Sequence, residues 1–259
     1  MSVKPVPEGY HSVIPYLAVT EVGKVIEFLK AAFGATENHR MAQPNGTIMH
    51  AEVKIGDSML MIGGGEAWRG TPKPMTLHLY VRDADATYRR ALEAGATSIE
   101  EPGDKPYGDR EAGVKDFGGN TWYVGTHKAT GHAPPGMRSL TPYMLPQSVA
   151  ELIAFLTKAL GAEEKACHAA PDGRILHAAV RIGDSMLEMG EAPGPYQPQP
   201  TLFYLYVDDV DAAYQRAVQA GATSLSEPAD MPYGDRVAAV TDPFGNKWYL
   251  ATHVRDVSA

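Results

Sequence analysis

The sequence predicts an α+β fold assembled from tandem strand-helix-strand-strand-strand (βαβββ) units, and three observations carry that expectation. The first is that the 259-residue chain is written twice. Ile55-Gly56-Asp57-Ser58-Met59-Leu60 returns as Ile182-Gly183-Asp184-Ser185-Met186-Leu187, and His50-Ala51 as His177-Ala178, at an offset of 127 residues. Further on, Tyr107-Gly108-Asp109-Arg110 returns as Tyr233-Gly234-Asp235-Arg236 at an offset of 126. A one-residue deletion therefore falls in the Gly/Pro-rich stretch after Met59–Ile62, where a loop tolerates a change of length. The second observation is that helical and extended periodicities alternate within each copy. The third is the placement of glycines where helices and turns must end.

Within the first copy, the apolar run Val13 to Val19 reads as a strand. Val22, Val25, Ile26, Leu29 and Phe33 then share one helical face, closed by Gly34 as the C-terminal cap. Strands are predicted over Thr36–Ala42, Thr47–Ile55 and Ser58–Ile62. The second unit opens with a strand at Thr76–Val81, followed by a helix starting at Asp83 and stopping at Gly95. Strands follow at Thr97–Glu101, Arg110–Lys115 and Thr121–His127, the last after a turn at Asp116-Phe117-Gly118-Gly119-Asn120. Each copy thus holds two such units. The copies predict domains at residues 1–130 and 138–259, with the Pro/Gly-bearing segment His127 to Met137 as linker.

Composition narrows the function classes. The chain has 44% hydrophobic, 21% charged and 8% aromatic residues, which fits a globular protein with ample core material. Its 23 basic and 31 acidic residues leave a net charge of −8, a field that repels phosphate backbones and anionic lipid. Nucleic acid and membrane are therefore not expected partners. The single cysteine, Cys167, cannot form an intramolecular disulfide. With no apolar run near Met1 and none of 18 residues anywhere, neither a signal peptide nor a membrane span is expected, and the expected location is cytoplasmic.

Strand alternation sorts the side chains, because one sheet face must be apolar to pack on helices while the other faces a cleft. In Thr76–Val81, Leu77, Leu79 and Val81 form the apolar face, leaving Thr76, His78 and Tyr80 for the cleft. By the same parity His50 and Glu52 join them, with Tyr16, Met59, Met61 and Tyr123. The second copy offers Tyr143, His177, Arg181, Met186, Glu188, Tyr204, Tyr206, Tyr249 and His253. Each cleft is then aromatic and Met-lined with a few polar groups, the chemistry of a small-molecule pocket. Arg110 and Arg236, in the repeated Tyr-Gly-Asp-Arg, have two readings. One has Gly allow a bend and the motif's Asp pair with its Arg to fix the strand entry, and the other has the Arg donate to an anionic or carbonyl group of a ligand.

The repeat, with Pro15-Tyr16-Leu17, Ala32-Phe33-Gly34-Ala35, His50-Ala51-Glu52, Ile55-Gly56-Asp57-Ser58, Tyr107-Gly108-Asp109-Arg110 and Asp242-Pro243-Phe244-Gly245-Asn246-Lys247-Trp248, resembles the vicinal oxygen chelate superfamily. This is the glyoxalase/bleomycin-resistance/dioxygenase group, and the resemblance is nearest to its PhnB-like branch. It implies two tandem domains, each with an eight-stranded sheet curled around a cleft. Catalytic members of that family hold a divalent metal with His, Gln or Glu on the first strand of each unit and Glu on the last. Here those positions fall on Ile14, Thr76 and Tyr123, and in the second copy on Leu140, Leu202 and Tyr249. Only Glu188 matches a ligand position, on a fourth strand, so no metal or other cofactor is expected. His50, Glu52 and His78 share a face and form the one alternative donor set, which the second copy lacks because it has Ala179 and Tyr204.

Two functions follow from the resemblance. One is metal-free binding of a cationic or aromatic small molecule, favoured by the acidic balance and the tyrosines. The other is a metal-independent or atypical-metal lyase or isomerase, with His50 or His78 as general base and Arg110 as electrophilic stabiliser. Single-copy relatives pair as dimers, so the fused chain is expected as a pseudo-dimeric monomer or a homodimer.

Overall fold

The computed structural model describes residues 3–64, 72–191 and 198–257. The stretch where the repeat offset changes lies partly outside them. The first copy runs β1 (Val13–Val19), α1 (Val22–Phe33), β2 (Thr36–Ala42), β3 (Ile48–Ile55), β4 (Ser58–Gly64), β5 (Thr76–Tyr80), α2 (Ala84–Glu93), β6 (Thr97–Asp104), β7 (Asp109–Lys115) and β8 (Thr121–His127). The second runs β9 (Leu140–Met144), α3 (Val149–Leu160), β10 (Glu163–Ala169), β11 (Ile175–Ile182), β12 (Ser185–Met189), β13 (Leu202–Tyr206), α4 (Val210–Gln219), β14 (Thr223–Asp230), β15 (Asp235–Thr241) and β16 (Lys247–His253). No helix among the described residues is long and apolar enough to cross a membrane.

The helices form where the sequence places apolar stripes and caps. In α1 the stripe Val22, Val25, Ile26, Leu29 and Phe33 is buried, and Gly34 adopts the left-handed conformation at φ 67°. Its N–H reaches Lys30 O, and Ala35 N–H reaches Leu29 O, so the last carbonyls of the helix are satisfied. Asp83 and Asp209 cap α2 and α4 by accepting from Ala86 N–H and Ala212 N–H.

Two eight-stranded sheets result. One has the order β14-β15-β16-β13-β1-β4-β3-β2 and the other β10-β11-β12-β9-β5-β8-β7-β6. Each draws one βαβββ unit from each copy of the repeat, where the sequence repeat had suggested a sheet per copy. The reason lies in the pairing of opening strands: β1 runs antiparallel to β13 with Val13 opposite Leu205, and β5 antiparallel to β9 with Leu79 opposite Leu140. The chain forms two compact units, residues 1–15 with 144–259, and residues 16–143.

The repeated Ile-Gly-Asp-Ser motif secures these junctions. Gly56 turns the β3–β4 hairpin at φ 60°, and Asp57 Oδ1 accepts from Ser139 N–H at 2.9 Å while Ser58 Oγ accepts from Leu140 N–H at 3.1 Å. In the other unit Asp184 Oδ1 accepts from Ser12 N–H at 2.8 Å and Ser185 Oγ from Val13 N–H at 2.9 Å. A second repeated device is the Asp-x-x-x-Asn-x-Trp turn. Buried Asp116 accepts from Asn120 and from Trp122 Nε1 at 3.0 Å, and Asn120 Oδ1 in turn accepts from Met75 N–H. Trp122 and Trp248 are fully buried, and Asp242 repeats the arrangement with Asn246 and Trp248.

Two first-copy strands run more than one residue past the sequence expectation. β4 continues through Gly63 and Gly64, which pair with Ala18 and Val19 on β1. A Cβ at Gly63 would lie 2.4 Å from the Tyr16 hydroxyl, so this glycine marks a close approach of a side chain rather than a turn. β6 continues past Glu101 to Asp104, because register shifts around Glu100 let the edge strand carry Pro102 without a lost ladder bond.

Candidate functional site

Three adjacent strands of the 16–143 unit build the site. On β5, Leu77 and Leu79 are fully buried while His78 and Tyr80 take the opposite parity. β8 runs parallel beside it, with His78 opposite Tyr123 and Tyr80 opposite Gly125. β7 runs antiparallel on the far side of β8, with Asp109 opposite His127, Glu111 opposite Gly125 and Gly113 opposite Tyr123. Arg110 has the other parity and reaches helix α2, so Asp109 and Glu111 project from the face turned away from that helix. Gly125 at the centre leaves room: a Cβ there would lie 2.9 Å from His78 Nε2 and 3.4 Å from the Tyr80 ring.

The side chains on this face form a connected polar cluster. Asp109 accepts from the Tyr80 hydroxyl at 3.1 Å and lies 2.6 Å from His127 Nδ1. Glu111 Oε2 lies 3.2 Å from His78 Nε2, and Glu111 Oε1 accepts from the Tyr107 hydroxyl at 3.0 Å. The His78 and Tyr80 rings are 4.2 Å apart, centroid to centroid. His78, Asp109 and Glu111 are each more than 90% buried, and a ligand atom from each lies within 4.8 Å of the others. The Tyr107 ring is exposed, but burial of its hydroxyl and the neighbouring Glu111 carboxylate push its pKa up. Two buried carboxylates side by side are costly unless cationic or donor groups offset them. Tyr80, His127 and Tyr107 supply part of that offset, and Lys105 Nζ sits 3.9 Å from Glu111 Oε1.

The second copy repeats the frame and changes its contents. Asp235 keeps its imidazole, His253 Nδ1 at 2.8 Å, and its tyrosine, Tyr206 at 2.9 Å. Tyr204 stands where the first copy has His78, and its hydroxyl also donates to Asp235, at 2.8 Å. Val237 stands where the first copy has Glu111, and Met231 where it has Lys105. Burial first, with Tyr206, Tyr233 and Asp235 adding to it, pushes the Tyr204 phenol far up, so it remains a neutral donor. Burial opposes a charged His253, yet Asp235 and Asp256 outweigh it and raise its pKa above the usual 6.5.

The other residues named from sequence fall into separate groups. Tyr16, His50 and Glu52 form a chain, with Tyr16 Oη 3.1 Å from His50 Nδ1 and His50 Nε2 3.4 Å from Glu52, beside buried Met61. Their proposed partner His78 is engaged with Glu111 instead. His177 and Glu188 pair at 3.3 Å, and Tyr249 stacks on Tyr204 at 6.4 Å. Tyr123 and Tyr143 lie opposite His78 and Thr76 respectively. Arg110 holds Asp85 through two bonds of 2.6 and 2.8 Å and Asp104 at 3.3 Å, and Arg236 does the same with Asp211 and Asp230. The partners are thus Asp85 and Asp104 and not the motif's own Asp109, which Tyr80 and His127 engage. Asp109, Glu111 and His127 were not singled out from sequence. Parity from Asp109 would have placed Glu111 beside it, and the Glu111/Val237 difference between copies would have marked it.

The matches to known proteins agree with this architecture. Residues 10–124 and 144–250 match the sequence model of the Glyoxalase/Bleomycin resistance protein/Dioxygenase superfamily. The chain belongs to that superfamily. The uncharacterized protein Mb0911c of Mycobacterium bovis is 35% identical over 131 residues, covering 46% of this chain and 86% of its own. The uncharacterized protein Rv0887c of Mycobacterium tuberculosis is also 35% identical over 131 residues, covering 46% of this chain and 77% of its own. Glyoxalase I from Zea mays superposes with a TM-score of 0.73 over 93% of this chain and 92% of its own, at 17% identity, which is a likeness of fold.

The positions that the resemblance assigns to metal ligands carry apolar, hydroxyl and phenolic side chains apart from Glu188. Ile14 and Leu202 are buried apolar side chains with no donor, and Tyr249 stacks on Tyr204; the second-copy equivalent of Ile14 is Thr141, opposite His78, and not the expected Leu140, which lies opposite Leu79. Glu188 stands alone among those positions as a carboxylate. The His78, Asp109 and Glu111 group lies elsewhere, two residues along β5 from Thr76 and over onto β7.

Proposed function

We propose that this member of the superfamily, of its PhnB-like branch, binds a small organic molecule without the superfamily's usual metal ligands, and that the first copy carries the working site. The observation that carries this reading is the asymmetry between the copies. Both keep the Asp-His-Tyr frame, but His78, Lys105 and Glu111 become Tyr204, Met231 and Val237, and Tyr204 turns its hydroxyl onto Asp235. In physical terms the second copy closes its polar cluster on itself, while the first keeps a second carboxylate and an imidazole on the same face. Buried carboxylates beside Tyr80, Tyr107 and Tyr123 favour a planar, cationic, aromatic ligand.

The test is a titration with proflavine, phenazine methosulfate and bleomycin, followed by quenching of tyrosine and tryptophan fluorescence. Saturable quenching by at least one probe, weakened at least tenfold by Glu111→Val and unchanged by Glu188→Gln, is the expected result. No response to any of the three, or a response indifferent to Glu111→Val, overturns the reading.

A second reading is supported by the 3.2 Å approach of His78 Nε2 to Glu111. A histidine beside a carboxylate is equipped to accept a proton from a carbon acid, as a lyase or isomerase of glyoxalase type requires. Chelator-insensitive turnover of the methylglyoxal-glutathione hemithioacetal, lost in His78→Gln, would favour it. Arg110 does not serve as electrophile in this reading, because both its carboxylate partners lie on the helix side.

A further inference from the structure

We infer that His78, Asp109 and Glu111 form a divalent transition-metal site, displaced from the superfamily's usual ligand positions and present only in the first copy. One imidazole and two carboxylates are a mixed nitrogen and oxygen donor set, which suits Zn²⁺, Mn²⁺, Co²⁺ or Ni²⁺. Their ligand atoms lie within 4.8 Å of one another, close enough to converge on one ion with small side-chain rotations. The surroundings have the character of an outer shell. Tyr80 and His127 both hold Asp109, and Tyr107 holds Glu111 by Oε1, leaving Oε2 toward His78. Metal-binding carboxylates are oriented in this way by hydrogen bonds from behind.

The second copy supplies an independent observation within the same chain. There the outer partners of the carboxylate persist as Tyr206 and His253, but two of the three donors are gone together, replaced by Tyr204 and Val237. Gly125, beside which the His78 ring lies, has become Ala251. The cluster has thus changed as a unit: a donor, a carboxylate and the small residue that admits the imidazole differ at once, while the structural frame does not. Lys105 is drawn by Glu100 at 2.5 Å and stays 3.9 Å from the outer oxygen of Glu111.

The metal site goes beyond organic-ligand binding, and metal titration alone is enough to test it. The full chain, stripped with a chelator, is titrated with Zn²⁺ and with Co²⁺ by calorimetry and by visible absorption. The expected result is one ion per chain, bound at least tenfold more weakly after His78→Tyr or Glu111→Val, and unchanged after Glu188→Gln. Tyr107→Phe should weaken it about tenfold, as loss of an outer-shell bond does. The two substitutions install residues that the second copy already carries, and circular dichroism checks their fold. Should either fail to fold, pulsed EPR of bound Cu²⁺ in the unaltered chain decides, with coupling to one imidazole nitrogen expected. No binding, coupling to no imidazole or to several, or affinity indifferent to both substitutions overturns the site. Zn²⁺ should also displace proflavine, since both need Glu111. Metal binding without proflavine binding would remove the organic-cation reading and leave the metal site standing.

Discussion

At the scale of single residues, the same aspartate performs the same structural task twice, and its neighbours decide what else the face can do. Asp109 and Asp235 each tie the end of one strand to a histidine on the next and to a tyrosine two strands away. Around Asp235, hydroxyls from Tyr204 and Tyr206 and the His253 imidazole complete the set. The raised pKa of His253 has a consequence with a definite sign. A histidine more basic in the folded chain than in the unfolded one contributes stability that is fully present below about pH 6.5 and is lost as the pH rises through the folded value. Thermal melts across pH 5 to 9 should therefore show a decline on the alkaline side that is smaller in His253→Gln. An identical profile for the variant would contradict the assignment.

At the scale of elements, the hairpin glycines make a sharper prediction than any apolar contact. Gly56 sits at φ 60°, and a Cβ there would come within 2.2 Å of Ser139 Oγ. Gly56→Ala should cost about 1–3 kcal/mol in denaturant unfolding, from left-handed strain together with displacement of the Ser139 junction. A change below a few tenths would show the junction to be slack. The elements themselves were largely legible beforehand: α1, β2 and β8 follow from apolar stripes, alternation and a glycine cap. β4 and β6 ran longer than expected because Gly63 makes room for a tyrosine and a register shift admits Pro102, and both depend on neighbours that a linear pattern does not reveal. The candidate site was half legible. Parity placed His78 and Tyr80, but Glu111 became visible only when β7 was laid beside β8, and the pairing of His78 with it, instead of with His50 and Glu52, is a property of strand order.

At the scale of the whole molecule, a repeat in sequence has become two sheets that each combine a unit of one copy with a unit of the other. Strand β5 pairs with β9, and β1 with β13, so residues 1–130 alone would leave two opening strands as unpaired edges. Light scattering should give the intact chain a mass of 27.9 kDa, that of a pseudo-dimeric monomer, and a 1–130 fragment twice its own mass. A monomeric, folded fragment would contradict the pairing. Fusing the copies also frees one of them from function, which leaves a frame kept in both but a second carboxylate kept in one. The two copies are therefore not equivalent in the chemistry of this face. A crystal structure of the chain grown with proflavine tests it most directly: density is predicted on the face of β5, β7 and β8, against Glu111 and Tyr107. Density lying only against Tyr204 and Tyr249, or none on either face, would contradict it.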